Sequence, residues 1–235
     1  ALRHSGIPVS QPRTILLTNL LPYNTMGLDD LIFTGWLVGR EEPVQLIGPP
    51  GTRAFAENLL AAHRPGSTAH GQSLGLPGEA VKLDVTEVRG GWSEQRDGLS
   101  IRAGELRGGP TPGVAWRFDR NGKSVVVAGM GWDPDALVSL ASGVDMLVHE
   151  AVYVPPPEDI EDAGVIADPE RLRREAALHT SILDVGALAS RARVGTLVLV
   201  RMRPPPFFPL QARMIVDDHF DGTIEVPDDG DSFSP

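Results

Sequence analysis

The chain contains no cysteine, so neither a disulfide framework nor a thiolate metal site can be part of its chemistry. It has no run approaching the roughly 18 apolar residues of a membrane span. No basic-then-apolar signal segment opens it, so a cytoplasmic setting away from membranes is the default expectation. Positive charge is scarce: 21 Lys and Arg stand against 31 Asp and Glu, a formal net charge of −10. A broad nucleic-acid-binding face needs a basic surface, so nucleic acid is not expected as a partner, although a local basic pocket stays open. Histidine is sparse too. The six histidines, at positions 4, 63, 70, 149, 179 and 219, include no HxH or HxxxH pair.

What is present is ordinary globular material. Hydrophobic residues make up 41% of 235, enough for one large domain or two small ones. The 26 Gly and 21 Pro point to many turns on a regular scaffold. No internal repeat or composition break demands a second domain, so one domain over 1–235 is expected, with the Pro- and acid-rich stretch 155–168 as a surface insertion.

Apolar patterning places strands at 13–17, 43–48, 81–88 and 99–106. A hairpin follows at 114–119 and 124–128, turning at Asn121-Gly122, with further strands at 146–148, 197–200 and 223–226. Helical stretches are predicted at 28–39, 53–62 (capped by Thr52), 135–142, 169–178 and 182–192, the last weakened by Gly186. The polar stretch 18–27 reads as a turn, and 215 onward as an acidic tail. Strands alternate with helices in the outer thirds and follow one another in the middle, which suits a layered α/β sandwich better than a doubly wound sheet.

The segment LLTNLLPYNTMGLDDLIFTGWLVGREEPVQLIGPPGT resembles the signature region of the metallo-β-lactamase-fold family in its ribonuclease Z-like branch. That family carries Thr-His-x-His-x-Asp-His, then Gly-Leu and a helix, then a strand and Gly-Pro-x-Gly-Thr. Leu16 to Thr18, Gly27-Leu28 and Gly48 to Thr52 keep the frame. Downstream, AWRFDRNGKSVVVAGM is similar to the family's hairpin before its Ser-Gly-Asp turn. DMLVHEA is similar to the strand ending in His-Glu, HTS to the His-Ser-Thr element, and TLVLVRMRP to the late strand ending in Thr-His. Five elements in order cover about residues 13–209. The resemblance implies an α/β fold of the αββα type, two mixed β-sheets with helices on the outer faces. It also implies an opening pair of strands for which the chain is N-terminally short, so that they are either absent, unseen or supplied by another chain.

The departures fall on the metal positions. Asn19 and Leu21 stand at the first two ligand histidines, and Tyr23 and Asn24 at the next Asp and His. Arg107 stands near the third His, Met130 at the bridging Asp and Arg201 at the last His. Zinc needs three or four converging imidazole, carboxylate or thiolate donors. Leu and Met offer no hard donor, and a guanidinium carries a fixed positive charge. No cofactor is therefore expected, nor the zinc-generated hydroxide that would come with it.

Glu150 and His179 match positions that the resemblance assigns to proton transfer; the plainer reading is that they and His149 end a strand and link helices. Arg107 and Arg201 together could fork onto a carboxylate, sulfate or phosphate, or could simply be salt-bridge partners in an acidic protein. Asn19, Tyr23 and Asn24 could line such a pocket as neutral donors, or the two Asn could serve the turn. Met130 and Leu21 fill space. The segment RMRPPPFF reads as a rim or a packed loop. Two functions follow: a pseudoenzyme binding an anionic small molecule or a partner chain, as a homo- or hetero-oligomer with another chain of this fold, or a metal-independent hydrolase or lyase. In the second, Glu150 and His179 move protons and Arg107 and Arg201 stabilise an oxyanion.

Overall fold

The computed structural model describes residues 6–76, 81–130, 132–152, 168–203 and 209–235. The expected insertion therefore lies outside the described residues except for Asp168, and so do positions 204–208 of the RMRPPPFF segment.

Strands β1 (Thr14–Leu16), β2 (Val44–Gly48) and β3 (Leu83–Glu87) form one sheet in that order, all parallel. The other sheet has seven strands: β4 (Ser93–Arg96), β5 (Leu99–Leu106), β6 (Gly113–Arg120), β7 (Lys123–Ala128), β8 (Met146–Val152), β9 (Thr196–Arg203) and β10 (Thr223–Glu225). Its order is β10-β9-β8-β7-β6-β5-β4. Strands β7 to β10 run parallel, while β6–β7 and β4–β5 are antiparallel hairpins. The seven-stranded sheet is thus mixed, as expected. The smaller sheet differs, its described ladder being parallel throughout because each connection crosses over through a helix. Those helices are α1 (Pro22–Thr25) with α2 (Leu28–Leu37), and then α3 (Thr52–Ser73); later come α4 (Pro134–Leu140), α5 (Pro169–Ala176), α6 (Ile182–Ala192) and α7 (Pro209–Asp217).

Two compact units emerge, one of residues 1–89, 111–114 and 228–232, the other of 90–110, 115–227 and 233–235. The chain crosses between them more than once, so no single cut in the sequence separates them. The first has its own core of Leu17, Leu28, Ile32, Leu46 and Ala56. Arg40 is buried beside it, its guanidinium donating to the carbonyls of Val9, Pro12, Leu31 and Ile32. The second unit buries Val126, Leu137, Leu147, Val185, Leu197, Leu199 and Val216 in one cluster. Each such aliphatic side chain, fully removed from water, contributes about 1.5–3 kcal/mol.

Six local expectations need correction. The polar turn after β1 holds a helical turn, α1, started by Pro22 at its first position. Helix α3 does not stop near 62 at the Pro65-Gly66 breakers, because Gly71 and His70 beyond them pack on the Trp36 ring. Its start is not capped by Thr52, whose hydroxyl donates to Pro49 at 2.6 Å; the Glu87 carboxylate instead accepts from the Gly51 and Arg53 amides. Strand β4 has no apolar pattern and was not expected, yet Asp97-Gly98 turns it back onto β5 with both residues at positive φ. Helix α7 stands where an acidic tail was expected to begin, and Gly186 is no weakness: α6 meets α7 there so closely that a Cβ would lie 2.8 Å from the Val216 carbonyl oxygen.

Candidate functional site

In the first unit the chain leaves β1 and turns on Asn19, which is 1% exposed. Its carboxamide oxygen accepts the Leu21 amide at 3.0 Å and the Asn24 Nδ2 at 2.6 Å. The first of these is an Asx turn, the local geometry Asn favours. Tyr23, Asn24 and Leu21 are half-buried around it, and the Thr25 hydroxyl lies 3.3 Å from the Leu21 and Pro22 carbonyls. Structure thus unites Asn19 with Asn24 as one hydrogen-bonded turn.

In the second unit, β8 lies between β7 and β9 and carries His149-Glu150 in its last half, before it ends at Val152. The His149 ring is wholly buried, with Nδ1 2.6 Å from the Glu150 carbonyl oxygen and Nε2 3.5 Å from the Thr180 hydroxyl. A carbonyl only accepts, so Nδ1 carries the hydrogen. Burial pushes the His149 pKa below its ordinary value, and the Glu150 carbonyl and carboxylate oppose that only in part. This histidine is a neutral structural group.

His179 is different. Its Nδ1 sits 2.8 Å from the Glu150 carboxylate, with the side chains 2% and 3% exposed, and its Nε2 lies 3.6 Å from the carboxylate of Glu175. The backbone sets this contact. The Val152 amide donates to the Thr180 carbonyl at 2.9 Å, Val152 bridges to Ser181, and the Ser181 hydroxyl accepts the Leu183 amide at the start of α6. Trp132 adds a second clamp that the sequence did not reveal. Its indole N–H donates to the Leu178 carbonyl at 2.9 Å, and its ring lies on Gly109, leaving no room there for a Cβ. Glu175 was also missed, although its i,i+4 spacing from His179 offered a signal. With a carboxylate on Nδ1, the imidazole could offer or take a proton at Nε2.

The remaining candidates are scattered. Met130 is 1% exposed, a filler in the core. Arg107 is 78% exposed at its side chain; it pairs with Glu105 at 3.1 Å, not with Glu150, and its amide donates to Asp133. Arg201 is exposed in β9, with φ 52°.

Zinc does not fit these residues. Asn19 has both acceptor directions of its oxygen engaged within the turn, Leu21 and Met130 lack hard donors, and two of the positions carry guanidinium groups. Among the described residues, no group of three or more His, Asp or Glu gathers in a way that could hold a metal ion. No described helix is long and apolar enough to cross a membrane.

No family profile matches the chain. It is 32% identical over 233 residues to a ribonuclease Z of Mycobacterium bovis, covering 95% of this chain and 80% of that protein. Among solved structures it resembles human tRNase Z, short form, with a TM-score of 0.66 at 17% identity, covering 99% of this chain and 83% of that one. A metallo-β-lactamase-fold protein of Bacillus subtilis, YhfI, matches with a TM-score of 0.65 at 14% identity, covering 94% and 76%. These two likenesses establish the fold: an α/β protein of the metallo-β-lactamase type.

Proposed function

Since this chain belongs to the ribonuclease Z family of metallo-β-lactamase-fold proteins, we propose that it serves there as a metal-free binding member, a pseudoenzyme that takes an anionic small molecule or a partner chain of the same fold. The observation that carries this is the Asn19 turn. A ligand histidine must point a free nitrogen lone pair at the metal; here the buried carboxamide oxygen is satisfied by Leu21 and Asn24. The fully buried thioether of Met130 supports the same reading, since it occupies core volume where a carboxylate would be needed. The names of the relatives favour RNA cleavage, and tRNA is the nucleic acid to test. The net charge of −10 and the donor set speak against it. One domain over 1–235, a homo- or hetero-oligomer with another chain of this fold, and a cytoplasmic setting belong to the same proposal.

A second reading draws on one observation, the 2.8 Å contact between Glu150 and His179. In it the chain is a metal-independent hydrolase or lyase and this pair moves the proton; the oxyanion role read for Arg107 and Arg201 would fall to Arg201, because Arg107 pairs with Glu105.

Elemental analysis of protein purified without chelator, joined to a tRNA cleavage assay with added zinc or manganese, separates these readings from ordinary zinc hydrolysis. Substoichiometric metal and no cleavage are expected. A transition metal bound one-to-one or better, or metal-dependent cleavage, would overturn the proposal. Cleavage that persists in chelator and fails in Glu150→Gln would establish the second reading.

A further inference from the structure

Four non-glycine residues among those described have φ in the left-handed region: Asp97, Asn121, Arg193 and Arg201, at 50°, 51°, 54° and 52°. Three have a local cause. Asp97 and Asn121 open two-residue hairpin turns completed by Gly98 and Gly122. Arg193 follows the last residue of α6, where a left-handed residue ends many helices.

Arg201 has no such cause. It lies inside β9 beside β8, past Thr196 to Val198, the residues that pair with β10, in a strand where extended backbone is the rule. The ladder slips at this point. Glu150 faces Val200 but Val152 faces Arg203, two steps on β8 against three on β9. A bulge of this kind turns a side chain to a new direction. A glycine would hold the same bulge without the steric cost that any Cβ incurs in the left-handed well. The chain instead places a long cation there, exposed, one residue beyond the partner of Glu150. Glu150 is itself engaged by His179 at 2.8 Å. Strain kept at one exposed residue beside a buried acid–imidazole pair is the mark of a residue held for binding.

We propose that Arg201 binds an oxyanion at this end of the sheet, and that the left-handed bulge exists to present its guanidinium. A guanidinium offers two parallel N–H donors to a carboxylate or a phosphate. The inference rests on the reading of this chain as a metal-free binding member and names the chemistry of its ligand.

Thermal unfolding of the full chain tests it, for the wild type, Arg201→Gly and Arg201→Ala, with inorganic phosphate or succinate at matched ionic strength. The wild-type midpoint should rise with at least one anion, because a ligand of the folded state stabilises it. A response to phosphate alone assigns a phosphate ligand, and a response to succinate alone a carboxylate. Both variants should lose the response. Without anion, Arg201→Gly should melt about 2–4 °C above the wild type as the strain is released, and Arg201→Ala, which keeps a Cβ, should not gain. An Arg201→Gly protein no more stable than Arg201→Ala, an anion response that survives in both variants, or no response in the wild type would overturn the proposal. Elemental analysis reads bound metal and this experiment reads the anion response, so either can fail while the other holds.

Discussion

Replacing Glu150 by Ala removes the carboxylate from a contact that is sealed from water, with both side chains at 3% exposure or less. Solvent screening therefore gives little relief. If the pair is ionic, the deletion strands a charge in the core and costs about 3–5 kcal/mol. If it is a neutral hydrogen bond, the orphaned imidazole nitrogen costs about 1–3 kcal/mol. Glu150→Gln keeps the shape and an acceptor oxygen, so it should fall well short of the Ala variant. His179→Ala removes the other half. The double variant should then cost less than the sum of the singles, since the second deletion relieves the group stranded by the first. A coupling of about 0.5–3 kcal/mol is the range for residues in direct contact. Urea unfolding of the wild type, both singles and the double, followed by circular dichroism, closes the cycle. Additivity within about 0.5 kcal/mol would refute the reasoning, because it would mean that the 2.8 Å contact does not bind the end of β8 to the α5–α6 connection.

Two glycines in helices should respond with opposite signs to the same change. Gly66→Ala in α3 meets nothing within 4 Å and should stabilise by about 1 kcal/mol from helix propensity alone, whereas Gly186→Ala drives a Cβ to 2.8 Å from a backbone oxygen and should destabilise by about 1–2 kcal/mol after that same gain, both read by chemical denaturation. Buried His149 has its folded pKa depressed, so stability should be full above the unfolded value of about 6.5 and fall as pH drops below it, by up to about 1.4 kcal/mol per pH unit. Unfolding midpoints from pH 8 to pH 5 should show this slope in the wild type and lose part of it in His149→Gln; an unchanged slope would mean that His149 does not drive it.

Where the sequence was legible, the cause was local. Ile182–Ala192 forms the predicted helix because its apolar residues fall on one face, with Ser181 as its cap. The Asn121-Gly122 hairpin forms because both turn residues tolerate positive φ. Where it was not, the cause lay at a distance. Helix α3 outruns Pro65 because Trp36, on another helix, offers its ring to Gly71. Arg40 looks like a surface cation in a run of charged residues, yet it is buried among four backbone carbonyls that come from two separate segments. Nothing within a short window of sequence could report either.

The candidate site divides along the same line. Donor capacity belongs to a residue type, so that Leu21 and Met130 offer no hard donor is legible before any coordinates exist. Convergence belongs to the backbone. Arg107 turns to Glu105, its neighbour two positions away, as same-face residues along a strand do, and it does so although its position in the family signature suggested an inward role. Arg201 departs from regular strand geometry through a single φ angle. The Glu150–His179 contact persists for a reason independent of any metal. The Val152–Thr180 hydrogen bond and the Trp132–Leu178 hydrogen bond fix the two ends of the segment that carries His179. The imidazole is therefore delivered to the carboxylate by backbone and indole.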